Sequence, residues 1–218
     1  ILHVNSCWEP LCSYTVFWAK SKNYPVVITP HGMLEPWVLA KNYWKKKLPA
    51  LLFYQKYSLK MADVLVATAE TEKNNLLKLG YNKNIKIVPN GVITDNTNTK
   101  KSWKRTQTIL YVGLLRPNKG ANILLEAVGL LKNQLKGYKI FIAGPDTEGY
   151  LKTLKELSIK LNIENIVYFL GGVFGKEKWE LYKQADIFIL PTLNENFGIV
   201  IAEALLSGTP VITCKGAP

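Results

Sequence analysis

Short runs of β-branched and aliphatic residues alternate with helical segments along the whole chain, and this alternation limits the possible folds most strongly. The predicted strands are Leu2–Asn5, Val26–Thr29, Val64–Ala67, Ile85–Val88, Thr108–Val112, Lys139–Ala143, Ile166–Leu170, Ile187–Leu190 and Val211–Thr213. The predicted helices are Leu11–Lys20, Tyr43–Met61, Glu70–Lys78, Ala121–Asn133, Tyr150–Leu161, Lys176–Lys183 and Phe197–Leu206. Such alternation is typical of parallel sheets built from right-handed crossover units. The sequence therefore predicts an α/β protein.

One polar segment interrupts the alternation. Residues 90–107 read NGVITDNTNTKKSWKRTQ, are rich in Asn and Thr, and begin within a Pro-Asn-Gly turn. We interpret residues 93–107 as a linker between part of one α/β domain, residues 1–92, and a second, residues 108–218. The chain starts on a predicted strand and ends just after another, whereas a doubly wound sheet needs helices on both faces. Both domains are therefore expected to be incomplete at the chain ends.

Composition narrows the class of protein. The chain is 48% hydrophobic and 20% charged, which is typical of a globular protein with a core. No apolar run reaches the roughly 18–20 residues that a membrane-spanning helix needs. Cys7, Cys12 and Cys214 have no metal-like spacing and predict reduced thiols in a cytosolic protein. Two histidines and the lack of an Asp-x-Asp triplet argue against a metal site, so no metal or other cofactor is expected.

A basic and aromatic segment contributes to the formal net charge of +12. Between Lys41 and Met61 the chain has six lysines and no acidic residue, interleaved with tryptophan, tyrosine and phenylalanine. One interpretation is a core-packing helix with a solvated basic face. Another is a helix, residues 37–60, that lies on an anionic membrane surface. No nucleic-acid motif accompanies the segment, so nucleic acid is not an expected partner.

The strongest local signal is the string PTLNENFGIVIAEALLSGTPVI, which follows a predicted buried strand. Its loop carries Glu195 to the carboxyl end of that strand, where ligands of open α/β sheets bind. Glu203 falls on the second turn of the next helix among apolar residues, where a carboxylate needs a partner. The amides of Asn196, Phe197 and Gly198, at the predicted helix start, can meet an anion or hydroxyl groups. Considered alone, two glutamates at this spacing also fit one helix-capping acid and one solvated acid.

The whole string resembles the E-x(7)-E signature of the retaining glycosyltransferases of family 4, in its context of strand, Pro-Thr, E-x-F-G, helix and S-G-T-P-V-I. Other segments resemble the same family in the same order: TPHGMLEPW, MADVLVATAETEKNNLLKLG, IKIVPNGV, LYVGLLRPNKG, IFIAGPDTEG, VYFLGGV and ADIFILPT. The similarity covers nearly all 218 residues. It implies the GT-B fold, which has two Rossmann-like doubly wound parallel-sheet domains. Residues 1–92 would belong to the acceptor side and residues 108–218 would bind the donor.

The resemblance also implies an activity. It predicts transfer of a sugar from a nucleoside-diphosphate sugar to a glycan or lipid-linked acceptor, with retention of anomeric configuration and without a metal. Families with the PHGMLEPW form often build lipopolysaccharide, capsule or other surface glycans. We therefore expect a hexosyltransferase-like enzyme of surface-polysaccharide biosynthesis. It is expected in the cytoplasm, and peripherally at the inner face of the membrane if the basic segment binds lipid.

By the same resemblance, particular residues acquire expected roles. The expected catalytic residues are Glu195, which holds hydroxyls of the donor sugar, and His31, which faces the reacting sugar from the other domain together with Gly32. Lys119 is expected to neutralise the diphosphate leaving group, where charge builds during donor cleavage. The other expected donor-binding residues are Glu203 for the ribose hydroxyls, Asn196, Phe197 and Gly198 for the sugar and distal phosphate, Gly172 and Val173 for the nucleobase, and Gly113 and Arg116 in the phosphate-facing loop.

One loop departs from the family pattern. The family has G-R-L-x-x-x-K-G, whereas here Gly113 is followed by Leu114, and Arg116 comes two places later. Arg116 either reaches the phosphates by a different path or is an exposed loop arginine, and a weakened or inactive enzyme is a third interpretation. A non-catalytic nucleotide-sugar- or glycan-binding relative is therefore the alternative function. A nicotinamide-dependent oxidoreductase predicts G-x-G-x-x-G after a strand, and neither GLLRPNKG nor AGPDTEG fits that pattern.

Overall fold

The structure is a computed structural model that describes residues 1–92 and 105–217, so most of the predicted linker lies outside the described residues. The chain divides into two compact units, Ile1–Asn90 and Gly91–Ala217, which we call unit 1 and unit 2. Each unit is built around one parallel sheet flanked by helices. The predicted α/β class, with two parallel sheets, is therefore confirmed.

Unit 1 has a four-stranded parallel sheet in the order β1-β2-β3-β4. The strands are β1 Leu2–Val4, β2 Val26–Ile28, β3 Val64–Ala67 and β4 Ile85–Ile87. The helices are α1 Pro10–Ser21, α2 Pro36–Ala40, α3 Leu48–Ala50, α4 Lys56–Met61 and α5 Glu70–Leu79. The core joins strand residues such as Ile28 and Leu65 to Val16 of α1 and Leu59 of α4.

The stretch predicted as a single helix, Tyr43–Met61, is helical throughout but changes its hydrogen-bonding pattern. π-helical turns at Tyr43–Lys47 and Leu51–Gln55 alternate with α3 and α4. Pro49 has no amide hydrogen, and in an α-helix its ring conflicts with the carbonyl group of Lys45. The wider turn before the proline relieves that conflict. The prediction of one regular α-helix over this stretch is therefore wrong in its hydrogen-bonding pattern, although the stretch is helical throughout.

Unit 2 has a five-stranded parallel sheet in the order β7-β6-β5-β8-β9. The strands are β5 Thr108–Val112, β6 Lys139–Ala143, β7 Val167–Gly171, β8 Ile187–Leu190 and β9 Val211–Thr213. The helices are α6 Ala121–Leu130, α7 Tyr150–Lys160, α8 Gly175–Gln184 and α9 Ile199–Leu206, with a 3-10 turn at Pro117–Lys119. Every residue of β5 is buried, as is expected of the central strand of a sheet covered on both faces.

The direction of winding reverses at β5. The chain places β6 and β7 on one side of β5, then returns to place β8 and β9 on the other side. Ligands of open α/β sheets bind at the carboxyl ends of the strands beside such a reversal. A functional site is therefore expected at the loops that follow β5 and β8.

Each predicted strand is present, with ends that differ by no more than one residue. The helix predicted at Phe197–Leu206 is wrong at its start, because α9 begins at Ile199. Gly198 has φ +75°, in the left-handed region, and a right-handed helix cannot include such a residue. Asn196 and Phe197 consequently lie in a loop, not in the first helical turn.

Candidate functional site

Two loops meet at the carboxyl edge of the unit 2 sheet, one after β5 and one after β8. The hydroxyl of Thr192 and the amide of Leu193, in the loop after β8, donate to the carbonyl oxygen of Asn118 at 3.2 and 3.0 Å. Gly120 has φ +76°, and a Cβ atom there would overlap the carbonyl oxygen of Pro191. This glycine therefore allows the two backbones to come into contact.

The same contact brings Lys119 next to Glu195. Lys119 ends the 3-10 turn after β5, and its ammonium group lies 2.6 Å from Oε2 of Glu195. The side chains are only 19% and 16% exposed. The amide of Glu195 donates to the carbonyl oxygen of Gly216 at 2.8 Å, and Oε1 of Glu195 accepts from the amide of Asn196 at 3.3 Å. The residues predicted to hold the donor sugar and the diphosphate are thus direct neighbours.

Tyr111 of β5 supports the loop that carries this pair. Its hydroxyl lies 3.2 Å from the carbonyl oxygen of Leu114 and 3.4 Å from that of Lys119. A Cβ atom on Gly113 would approach this hydroxyl to 3.2 Å, so the glycine leaves room for the tyrosine. Burial, followed by the negative charge of Glu195, raises the pKa of Tyr111 above its ordinary value. The phenol therefore stays a neutral hydrogen-bond donor.

Glu203 occupies a different setting, on the second turn of α9 and only 6% exposed. Its Oε1 lies 2.6 Å from the ammonium group of Lys178, and its Oε2 accepts a hydrogen bond from the hydroxyl of Tyr182 at 3.0 Å. Both partners belong to α8. Burial, then the charge and hydrogen bond of Glu203, raise the pKa of Tyr182, which keeps its hydroxyl neutral. The partner that an acid among apolar residues requires is therefore a lysine and a tyrosine together.

A cavity of about 360 Å³ opens beside this second pair. Its lining residues all belong to unit 2 and are Gly91, Val92, Gly175, Lys178, Trp179, Ile199 and Glu203. Small-molecule pockets commonly have volumes of roughly 300–1,000 Å³, so the space suits a ligand of modest size. The carboxylate predicted for ribose thus borders an open cavity.

The residues between Glu195 and α9 do not form the helix start that was predicted. Gly198 precedes the helix, and its carbonyl oxygen accepts the amide of Ile201 at 2.8 Å. The amide of Asn196 turns back to the carboxylate of Glu195. Binding of a sugar or phosphate by the amides of Asn196, Phe197 and Gly198 stays a prediction.

Within the described ranges, Arg116 contacts neither the Lys119–Glu195 pair nor the Lys178–Glu203 pair. Its Nη2 donates to Oγ1 of Thr147 at 3.1 Å, and its Nε lies 3.2 Å from Oε1 of Glu148, both in the loop after β6. The side chain is 39% exposed. Arg116 is thus bonded to the loop after β6, at the edge of the sheet.

Gly172 and Val173 follow the outer strand β7. Gly172 is exposed, whereas Val173 is buried. The end of β7 is fixed to the loop after β6 because the amide of Gly144 donates to the carbonyl oxygen of Gly171 at 2.7 Å. Contact of Gly172 and Val173 with a nucleobase stays a prediction.

His31 and Gly32 lie in unit 1, after β2. His31 has φ +51°, is exposed, and its Nε2 lies 3.2 Å from Oδ1 of Asn5 at the end of β1. Gly32 has φ +74°, and its buried amide donates to Oε1 of Glu72 at 2.6 Å. Glu72 is 2% exposed and also accepts the amide and hydroxyl of Thr68 at 2.7 and 2.8 Å. The buried carboxylate of Glu72 therefore fixes the backbone of the turn formed by His31 and Gly32.

Sequence reasoning missed three residues that matter to these arrangements: Lys178, Tyr182 and Glu72. Lys178 and Tyr182 stand four positions apart, so their spacing on α8 predicts a shared helix face. Nothing in the sequence shows that Glu203 packs against that face. Glu72 is visible only as an acid within the first turn of a predicted helix, which is an ordinary place for a solvated acid.

Residues 1–92 and 105–217 contain neither a cluster of metal ligands nor a membrane-spanning helix. No group of three or more His, Cys, Asp or Glu side chains there could hold a metal ion. No helix in the same residues is long and apolar enough to span a bilayer.

Comparison with known proteins gives matches to both units. The family model described as Glycosyl transferases group 1 matches residues 93–218, and the model described as Glycosyltransferase Family 4 matches residues 1–96. An uncharacterized 41.2 kDa protein in the cps region of Klebsiella pneumoniae is 28% identical over 97% of this chain and 59% of its own length. A D-inositol 3-phosphate glycosyltransferase of Corynebacterium jeikeium is 31% identical over 71% of this chain and 41% of its own length.

Solved structures resemble the fold. Alr3699/HepE of Anabaena, in complex with UDP and glucose, has a TM-score of 0.73 at 21% identity, covering 93% of this chain and 56% of that one. WaaG, a glycosyltransferase involved in lipopolysaccharide biosynthesis, has a TM-score of 0.72 at 18% identity, covering 94% of this chain and 63% of that one. At such low identities the likeness concerns the fold alone. The chain spans less than two thirds of the length of each of these four relatives.

Proposed function

The chain belongs to the family of glycosyl transferases group 1, and on that premise we propose that the whole protein transfers a sugar from a nucleoside-diphosphate sugar to a glycan or lipid-linked acceptor. The observation that carries the proposal is the Lys119–Glu195 pair, 2.6 Å apart at the carboxyl edge of the unit 2 sheet. A cation beside a carboxylate suits a ligand in which a negative diphosphate is joined to a sugar rich in hydroxyl groups. Unit 2 is the proposed donor-binding domain, and unit 1 the proposed acceptor-side domain.

The proposed chemistry uses both members of the pair. Donor cleavage breaks the bond between the sugar carbon and the diphosphate oxygen, and negative charge grows on the leaving phosphate. The side chain of Lys119 is only 19% exposed, so its ammonium group stabilises that charge more strongly than a fully hydrated lysine can. Glu195, once released from Lys119, accepts hydrogen bonds from sugar hydroxyls. Retention follows from attack on the face that the leaving group vacates, which needs no covalent glutamate.

A screen of common sugar nucleotides tests this function. The whole protein is incubated with uridine, guanosine, adenosine and cytidine sugar nucleotides, and donor hydrolysis is measured by release of the free nucleotide. We expect one donor class to be hydrolysed without added metal, and ¹H NMR of the transfer product to show the donor's anomeric configuration. Tight nucleoside-diphosphate binding without turnover supports the non-catalytic relative, which Leu114 motivates. Binding of a nicotinamide nucleotide instead rejects the glycosyltransferase proposal.

The proposed biological role is the biosynthesis of a cell-surface polysaccharide. Two relatives support it: the Klebsiella pneumoniae protein in a cps region, and WaaG, a glycosyltransferase involved in lipopolysaccharide biosynthesis. Deletion of the gene is expected to shorten or remove a surface glycan, visible as a mobility change on gel electrophoresis. An unaltered glycan profile would reject this role and leave the transfer chemistry open to other acceptors.

We also propose that unit 1 binds an anionic membrane surface, on the cytoplasmic side, through residues 37–60. Trp44 and Phe53 are 78% and 79% exposed there. Lys45 and Lys46 are exposed and form no ion pair with any described carboxylate. Lys47 differs, because its ammonium group lies 3.8 Å from the ring centre of Trp8 and so has a packing role. Exposed aromatic side chains beside unpaired lysines are suited to the interface of anionic lipids.

A double variant, Lys45→Gln with Lys46→Gln, tests the membrane proposal without disturbing Lys47. Each lysine near an anionic surface contributes about 1 kcal/mol, so the pair accounts for about 2 kcal/mol, or roughly thirty-fold in partitioning. Binding is measured by sedimentation with vesicles of phosphatidylglycerol and phosphatidylcholine, and with phosphatidylcholine alone. The matched control changes exposed lysines of α7, Lys152→Gln with Lys155→Gln. Equal sedimentation of both double variants would support a merely solvated basic face.

A further inference from the structure

Lys178 has no role in the chemistry described so far, yet it forms an ion pair as short as that of Lys119. Its ammonium group lies 2.6 Å from Oε1 of Glu203, and both residues line the cavity of about 360 Å³. The lysine side chain is 23% exposed, whereas that of Glu203 is 8% exposed. Of the two side chains, Lys178 is therefore the more accessible to solvent from the cavity.

The carboxylate of Glu203 has one fixed donor on each oxygen. Lys178 holds Oε1, and the hydroxyl of Tyr182 holds Oε2 at 3.0 Å. A carboxylate oxygen has two lone pairs, so each oxygen can accept one more hydrogen bond. Tyr182 is fully buried and does not line the cavity, so it fixes the carboxylate from the core side. A ligand in the cavity meets a carboxylate whose rotation is already restricted from two directions.

Charge balance gives Lys178 a further importance. An ionised carboxylate that is largely removed from water needs a cation, because burial of an unpaired charge is strongly unfavourable. Tyr182 is neutral, and Lys178 is the only cation within ion-pairing distance of Glu203 among the residues described. Without Lys178, the hydrogen bond from the hydroxyl of Tyr182 would be the one side-chain contact left, among the residues described, to stabilise the negative charge of Glu203.

We propose that Lys178 is a positioning residue, which fixes the ionised carboxylate of Glu203 so that it accepts hydrogen bonds from neighbouring hydroxyl groups of the donor's ribose. The inference rests on the proposed function, in which the ligand is a nucleoside-diphosphate sugar. It differs from a purely structural role in one measurable respect. A positioning role affects binding only when the ribose hydroxyls are present, whereas a structural role affects every nucleotide alike.

The test compares two probes in the whole protein by isothermal titration calorimetry. Uridine, guanosine, adenosine and cytidine diphosphates are titrated first, and the tightest binder is then compared with its 2′,3′-dideoxy analogue. We expect Lys178→Met to weaken the ribonucleotide about tenfold, which is the scale of one charge-assisted hydrogen bond. The affinity for the dideoxy analogue should stay within twofold of wild type. Lys178→Arg should recover most of the loss, because it restores a cation at the same place.

The control is Lys176→Met, which removes an exposed lysine of the same helix and should leave both affinities unchanged. If Lys178→Met is too unstable to titrate, Lys178→Gln keeps a donor without the charge, and the same contrast is expected with a smaller loss. Equal weakening of both probes, or no weakening of either, overturns the positioning role while leaving the proposed function intact. Failure of the wild-type protein to bind any of the four nucleotides rejects the proposed function itself, and this inference with it.

Discussion

The ion pairs Lys119–Glu195 and Lys178–Glu203 of unit 2 have the same separation but different surroundings. Lys119 and Glu195 lie on loops beyond the strands, whereas Lys178 and Glu203 lie on two packed helices, with each pair 2.6 Å apart. The second contact of Glu195 is a long bond from a neighbouring amide, whereas that of Glu203 comes from a buried tyrosine. Equal distances therefore do not imply equal roles: the proposed contacts with the sugar and the diphosphate belong to the pair on the loops, and the proposed ribose contact belongs to the pair on the helices.

The surroundings decide what each acid contributes to stability. Loss of the charge on Glu195 leaves Lys119, at 19% exposure, with access to water. Loss of the acid at Glu203 would leave the hydroxyl of Tyr182 unpaired in the core, which costs about 1–3 kcal/mol. We therefore expect substitutions at the first pair to change turnover and binding, and substitutions around the second to change stability as well.

The largest expected effect is that of Glu195→Gln. An amide accepts hydrogen bonds more weakly than a carboxylate and cannot balance positive charge on the sugar ring, so transfer should fall by at least about 100-fold. The melting temperature should stay within a few degrees of wild type, because the loop keeps its backbone bond to Gly216. Initial rates and calorimetric unfolding measure the two quantities. The matched control is Glu156→Gln, at an exposed position of α7, and wild-type turnover by Glu195→Gln would remove the residue from the reaction.

Lys119→Ala is expected to have the next largest effect. It removes the cation proposed for the diphosphate, so affinity for a nucleoside diphosphate should fall at least about tenfold. Affinity for the corresponding nucleoside, which has no phosphate, should not change. This contrast complements that of Lys178, where the ribose and not the phosphate decides the outcome. Equal loss of nucleoside and nucleoside-diphosphate binding would show that Lys119 does not act on the phosphates. Lys119 would then have a supporting role like that proposed for Lys178, and the distinction between the two pairs would be lost.

The strands and the position of Glu195 were readable from the sequence for one physical reason. Strands of a parallel sheet covered on both faces are short, continuous apolar runs, and every residue of β5 is indeed buried. A loop that follows such a strand, like the loop after β8 that carries Glu195, lies at the carboxyl edge of the sheet. Lys119 approaches Glu195 because β5 and β8 are neighbours in the sheet, an order that the structure shows and the sequence analysis did not predict.

The remaining features depend on packing between distant segments. Glu203 meets Lys178 only because α8 and α9 are neighbours, and a sequence does not give the rotation of one helix against another. Arg116 could not be assigned because its partner Glu148 lies in the loop after another strand. The start of α9 was misplaced because a glycine is compatible with both hands of the backbone, and only the structure shows φ +75° at Gly198.

The smallest expected effect is that of Tyr182→Phe, which removes only the hydroxyl that holds Oε2 of Glu203. Lys178 still balances the charge, so affinity for nucleoside diphosphates should change less than about threefold. The free energy of unfolding should fall by about 1–2 kcal/mol, the scale of a buried hydrogen bond to a charged group. Tyr168→Phe, at a half-exposed position of β7, is the control and should change it little.

The pH dependence of this difference tests whether the hydroxyl of Tyr182 stays neutral in the folded protein. Burial, then the charge and hydrogen bond of Glu203, raise the pKa of Tyr182 in the folded protein above its value of about 10 in the unfolded chain. The wild-type advantage should therefore be constant below about pH 10 and shrink above it, because only the unfolded phenol ionises there. Denaturant unfolding of both proteins between neutral pH and about pH 11 measures it. A difference that persists unchanged above about pH 10 would show that the phenol of Tyr182 ionises as readily in the folded protein as in the unfolded chain, and so is not held neutral beside Glu203.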